Sequence, residues 1–209
     1  MRRIPISLAL ALIPLPVCAQ AQTAPPQIAW CDSPQATDDQ TIAGCTAAIQ
    51  SGQFSGPGLA AEYRNRGMSY RNKGFFDQAI ADYNRAIILK PGFADAYDDR
   101  GRAYGDKGLL DLAIADYTQA IALAPGSVYP YNNRGNAYNR KGFYDQAIAD
   151  ETKALAIQPD YANAHRNLAV AYEGKGLRDK AIAEYRAALA YDPSMTFARQ
   201  ALIRLGATP

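Results

Sequence analysis

One histidine, one tryptophan and three cysteines among 209 residues leave little of the usual equipment for catalysis or metal binding. A structural or catalytic metal asks for three or four ligand groups, and two thiols without neighbouring histidines supply too few. A redox dithiol normally places its cysteines two residues apart, a spacing that Cys18, Cys31 and Cys45 do not show. Motifs for phosphate binding and acyl transfer are missing. The single histidine, His165, has no nucleophile or acid–base partner nearby in sequence. The chain therefore reads as a non-enzyme without a cofactor. Charge of one sign is missing as well. The formal charge of +2 comes from 22 basic and 20 acidic residues, and Arg2 and Arg3 account for the excess. A neutral remainder lacks the electrostatic footprint of a nucleic-acid binder. The longest apolar run, Ile4 to Val17, falls short of the roughly 20 residues that span a bilayer, so no stable membrane insertion is expected.

What is present begins with that run. Arg2 and Arg3 precede it, and Ala19-Gln20-Ala21 follows with small residues where a signal peptidase reads them. Residues 1–21 are thus read as a signal peptide cleaved after Ala21, and the protein as periplasmic or secreted. A competing reading lipidates Cys18, but Val17 stands where a lipoprotein signal has a small residue. Cys31 and Cys45 then remain as a pair in an oxidising compartment, where a disulfide is expected. Closing the segment between them is worth up to about 3 kcal/mol in the chain-entropy model.

Internal periodicity settles the architecture. Tyr63-Arg-Asn-Arg-Gly67 returns as Tyr97-Asp-Asp-Arg-Gly101, as Tyr131-Asn-Asn-Arg-Gly135 and, more loosely, as His165-Arg-Asn-Leu-Ala169. Each copy lies 34 residues after the last, and the same interval links Tyr70, Tyr104, Tyr138 and Tyr172, then Pro91, Pro125, Pro159 and Pro193. The pattern resembles the tetratricopeptide repeat, with a large residue at position 4, small at 8, Tyr at 11, Ala at 20, large at 24, Ala at 27 and Pro at 32. The resemblance is to exported bacterial members and covers residues 60–195 without insertion. It implies an all-α, right-handed α-solenoid of four helix pairs over residues 60–93, 94–127, 128–161 and 162–195.

The chemistry of each copy agrees. A Lys-Gly pair closes helix A, because lysine suits the negative helix end and glycine takes the left-handed conformation. An aspartate (Asp77, Asp111, Asp145, Asp179) opens helix B at its positive end, and the proline at position 32 stops it. Small residues at positions 8, 20 and 27 let the helices approach. The ends need caps. Residues 38–51 match the helix B template, with Cys45 where Tyr83 stands in the next copy. They are expected to form an unpaired half-repeat pinned to Cys31, within an N-terminal segment 22–59. Residues 51–58 read as a Gly/Ser/Pro loop and 22–29 as a disordered tail. A capping helix is expected within 196–209, with Phe197, Ala201, Leu202 and Leu205 toward the last repeat.

The resemblance also implies a concave face built by the A helices, with positions 2, 5, 6, 9, 12 and 13 toward a ligand. Position 6 reads Asn65, Asp99, Asn133 and Asn167. In peptide-binding relatives asparagines there hold the peptide backbone, since a carboxamide both donates and accepts. Around them stand Arg64, Arg102, Asn132, Asn136, Asn139, Asn163 and Arg166. The expected binding residues are Asn65, Asp99, Arg102, Asn132, Asn133, Asn136, Arg166 and Asn167. The Lys/Asn/Asn/Lys/Arg clamp by which relatives grip chaperone C-termini fits neither frame of the repeats. Two departures fall together: Glu151 replaces a large residue at position 24, and His165 replaces Tyr at position 4. The favoured expectation is that Glu151 reaches solvent, the alternative that it pairs with His165 or Arg134. The partner is expected to be a protein or extended peptide, and homo-oligomerisation is left open. The alternative function is a scaffold subunit of an envelope assembly, such as polysaccharide export or cell-wall machinery, using the convex face or the ends.

Overall fold

The computed structural model describes residues 28–208, so the signal sequence expected at 1–21 and the lipidation alternative at Cys18 lie outside the described residues. Among the described residues there are ten α-helices and no strand. Four A helices, α2 (Gly56–Asn72), α4 (Ala94–Asp106), α6 (Val128–Lys141) and α8 (Ala162–Gly174), alternate with four B helices, α3 (Phe76–Leu89), α5 (Leu110–Leu123), α7 (Tyr144–Ile157) and α9 (Arg178–Tyr191). They are flanked by α1 (Asp38–Ser51) and α10 (Thr196–Arg204). Each A helix packs on its own B helix and on the A helix of the next repeat. The A helices therefore line one side of an α-solenoid and the B helices the other.

Local chemistry sets the helix ends. Gly108 takes φ +80°, and beyond it the Leu109 amide donates to the Tyr104 carbonyl at 2.9 Å, closing α4. Gly74, Gly142 and Gly176 repeat this conformation. Every B helix stops two residues before its proline.

Inside a pair the core is alanine against tyrosine. Ala79, Ala113, Ala147 and Ala181 are fully buried, and Tyr83, Tyr117 and Tyr185 at position 24 lie over the small residue at position 8 of the same repeat. A methyl group on Gly101 would sit 2.7 Å from the Tyr117 ring, so glycine is required there by contact and not by backbone conformation.

Polar clasps join one repeat to the next. Arg66, Arg100 and Arg134 at position 7 each grip Asp82, Asp116 and Asp150 at position 23 in a two-pronged bond of 2.7–2.8 Å. A further prong of each guanidinium reaches Thr46, Asn84 or Thr118 in the preceding unit. The hydrogen bonds to these aspartates hold the guanidinium pKa values above their ordinary range. Lys73, Lys107, Lys141 and Lys175 tie the end of each A helix to Asp39, Asp77, Asp111 and Asp145 of the unit before.

At the N-terminus Thr37 and Gln40 form a reciprocal capping box for α1, and Cys31 is bonded to the fully buried Cys45. Two expectations fail here. Residues 28–30, assigned in part to a disordered tail, form a 3-10 turn whose Ile28 is buried against the cap. The loop expected over 51–58 is only four residues long, because Ser51 completes α1 and α2 already starts at Gly56. Pro57 explains the early start, since its fixed φ suits the first helical turn. At the other end α10 buries Ala198, Ala201 and Leu202, while Phe197, expected on that face, stays about half exposed. The stripe runs through positions three and four residues beyond Ala198, which places Phe197 at its edge, 6.2 Å from the Tyr185 ring.

Candidate functional site

The inner wall formed by α2, α4, α6 and α8 encloses a polar groove of about 650 Å³. Its lining from the A helices includes Arg64, Arg71, Asp95, Asp98, Asp99, Arg102, Tyr129, Asn132, Asn133, Asn136, Arg140, Asn163, Arg166 and Asn167. All of these stand at repeat positions 2, 5, 6, 9, 12 or 13. Three and four residues separate neighbours in that set, so they share one helix face.

The groove wall is knitted by a ladder. The position-5 side chain of each A helix meets the position-6 side chain of the next. Arg64 donates to Asp99 at 2.7 Å, Asn133 donates to Asp98 at 2.9 Å, and Asn167 donates to Asn132 at 2.9 Å. Asn65 extends the ladder to Asp32 at 2.8 Å, and it does not line the groove. The other expected binding residues, Asp99, Arg102, Asn132, Asn133, Asn136, Arg166 and Asn167, are brought together in its wall.

They are not equally free. Asn167 is 1% exposed. Its amide nitrogen donates to Asn132 and Glu151, and its oxygen accepts from Arg166. Asp99 is buried and holds both Arg64 and Arg102. Asn133 spends its nitrogen on Asp98. The asparagines at position 6 therefore spend their donors on clasping helices together. Asn163, one turn away, is exposed, and Asn136 is held only by a long 3.5 Å bond from its amide to the Asn167 oxygen, so both keep more of their capacity for a ligand. The expected binding residues left out Arg71, Asp95, Asp98, Asp106, Tyr129 and Arg140, although each lines the groove from a position of the same set. Tyr161, just ahead of α8, was omitted too and carries no such signal.

Glu151 contradicts both readings made of it. It does not reach solvent: its exposure is 0%. Nor does it pair with His165 or Arg134, because Glu184 takes His165 at 2.7 Å and Asp150 takes Arg134. The carboxyl occupies the place of the position-24 tyrosines, directly over Gly135. Its Oε1 accepts from Asn167 at 3.0 Å, while Oε2 is buried without a protein partner. Burial pushes its pKa well up, and the Asn167 amide only partly opposes this. His165 found Glu184 because Leu168 stands where the other repeats have the clasping arginine, which leaves the position-23 carboxylate free.

Comparison with known proteins agrees with this architecture. Models of the tetratricopeptide repeat match residues 64–128 and 162–195, and a further TPR repeat model matches residues 135–176. No curated protein matches the chain by sequence. Among solved structures, MamA is 27% identical, with 77% of this chain and 91% of that chain covered and a TM-score of 0.65. The TPR domain of OM64 from Arabidopsis is 28% identical, covering 54% of this chain and 93% of that one, with a TM-score of 0.53. YrrB, described as a TPR protein with an unusual peptide-binding site, shares the fold at 20% identity, with 78% and 82% covered and a TM-score of 0.64.

Proposed function

Because the chain belongs to the tetratricopeptide-repeat family, we propose that it is a non-catalytic binding module that holds a protein segment or extended peptide in its concave groove. The observation that carries this reading is the single continuous polar groove, lined from all four A helices by the positions that share one face. Asn136 and Asn163 supply amides to a peptide main chain, and the oxygen of Asn133 remains as an acceptor beside them. Arg102 and Arg166 offer their charge to acidic side chains. A buried disulfide at the N-terminal cap fits a protein exported to the periplasm or beyond, where such bonds persist.

The reading is tested by affinity capture from an envelope extract, with the protein as bait and a Tyr129→Ala/Asn163→Ala variant as control. Both side chains are exposed in the groove, so the variant keeps the fold. A protein held by the wild type and lost by the variant supports groove binding. Equal retention by both would move the interface to the convex face or the ends, as an envelope scaffold would require.

A further inference from the structure

The groove is chemically two-sided. All four of its carboxylates, Asp95, Asp98, Asp99 and Asp106, lie on α4 in the second repeat. The third and fourth repeats contribute amides, tyrosines, Arg140 and Arg166. Three of the carboxylates have an arginine within reach. Asp99 holds Arg64 and Arg102, Asp106 holds Arg71, and Asp95 lies 3.8 Å from Arg64. Asp98 is different: among the described residues no cation comes within ion-pair distance of it.

The surroundings of Asp98 make that lack expensive. Its carboxylate accepts only from the Asn133 amide, at 2.9 and 3.1 Å. Desolvation, together with Asp99 and Asp95, pushes its pKa up to about 6, against the opposing effects of Asn133 and Arg102. One helical turn before Asn133, on the same face of α6, stands Tyr129, 58% exposed. The Tyr129 ring meets Tyr161 edge-on with centroids 6.0 Å apart, and both rings line the groove with Asp98. Asn133 ties Asp98 to the face of α6 that also carries Tyr129, so the carboxylate and that ring share one wall of the groove. A desolvated carboxylate in one groove with an exposed tyrosine and a half-buried one offers a cation both an ion pair and a π face.

We infer that Asp98, Tyr129 and Tyr161 form a subsite that takes a cationic side chain, lysine or arginine, from the peptide bound in the groove. The subsite rests on the groove reading above and fixes the charge that one end of the groove selects. Asp95, one turn from Asp98 at the open edge of α4 and largely exposed, adds long-range attraction. The direction is opposite to what Arg102 and Arg166 alone would suggest, because Arg102 is already bonded to Asp99.

The test titrates the isotope-labelled protein with three capped pentapeptides, acetyl-Gly-Ala-Xaa-Ala-Gly-amide with Xaa as lysine, glutamine or glutamate, following the Asn133 side-chain amide and the Tyr129 ring by NMR at pH 7.5. The expected result is that the lysine peptide shifts these signals and binds about ten-fold more tightly than the glutamate peptide. Asp98→Asn, which keeps shape and removes charge, should abolish the preference while leaving glutamine-peptide binding in place. Tyr129→Ala, at an exposed ring, should weaken the lysine peptide more than the glutamine or glutamate peptide. The preference should also shrink at pH 5, where Asp98 takes up a proton while Arg64, Arg71 and Arg102 stay charged. Equal binding of all three peptides would sink the cationic subsite and leave the groove reading standing. A glutamate preference would overturn it outright. No groove shifts with any peptide would overturn both.

Discussion

At the scale of single residues, Glu151 is where the third repeat departs from its neighbours. A buried carboxyl whose pKa is raised in the folded protein keeps its proton at pH values where the unfolded chain, near 4.5, has released it. Folding then favours the proton-bound form, so the Glu151 contribution to stability falls as pH rises from about 4.5 toward the folded pKa. Glu151→Gln removes that dependence. Its thermal midpoint is expected to exceed that of the wild type at pH 8 and to converge with it near pH 4.5, as thermal melts across that range would show. Asn167 is bound to Glu151, Asn132 and Arg166, and Asn167→Ala leaves buried partners unmet. It is expected to cost about 2–3 kcal/mol in chemical denaturation. A cost below about 0.5 kcal/mol would return Asn167 to the set of free ligand residues. The identity of Asn167 as a position-6 residue was legible in the sequence, but its use was not. Whether a carboxamide faces a ligand or a neighbouring helix depends on what stands at position 5 of the adjacent copy, 35 residues away. Glu151 was illegible for a related reason: a lone acid at a packing position reads as a solvated exception until Gly135 and Asn167 are seen around it.

At the scale of elements, the clasps between helices were visible as a period and passed unread. Arg66, Arg100 and Arg134 recur at 34 residues, as do Asp82, Asp116 and Asp150, 16 positions later. Charges are normally assigned to the solvated face, so their shared period was the signal that could have paired them. Arg100→Ala is expected to cost about 2–3 kcal/mol, because it leaves Asp116 nearly buried without its partner and frees Asn84 of the preceding repeat. Hydrogen exchange should accelerate on both sides of the α3–α4 junction; a uniform change along the chain would mean the clasp is not local. Gly101→Ala is expected to cost at least about 1 kcal/mol, since the added methyl meets the Tyr117 ring and the backbone behind it. The helix pairs themselves were legible from glycine, aspartate and proline at fixed offsets. The early start of α2 was not, because Ser55, Gly56 and Pro57 serve a turn and a helix start equally well.

At the scale of the whole molecule, the array is a chain of neighbour contacts, and its ends decide where it frays. The disulfide holds the 3-10 turn against α1, and α1 in turn covers the first repeat. Burial and Asp32 push the Glu62 carboxyl beside this cap up to about 7. Reduction is expected to lower stability by up to about 3 kcal/mol. The loss should appear as faster exchange in α1 and α2, with α8 to α10 unchanged. The central claim is that the partner lies along the concave wall. The most direct test places a photo-crosslinking amino acid at Asn163, exposed in the groove, and separately at Gln119, exposed on α5 among the B helices. Irradiation of cells producing either form should yield a crosslinked partner from Asn163 and none from Gln119. The same partner captured from Gln119 and not from Asn163 would contradict the claim and place binding on the convex side.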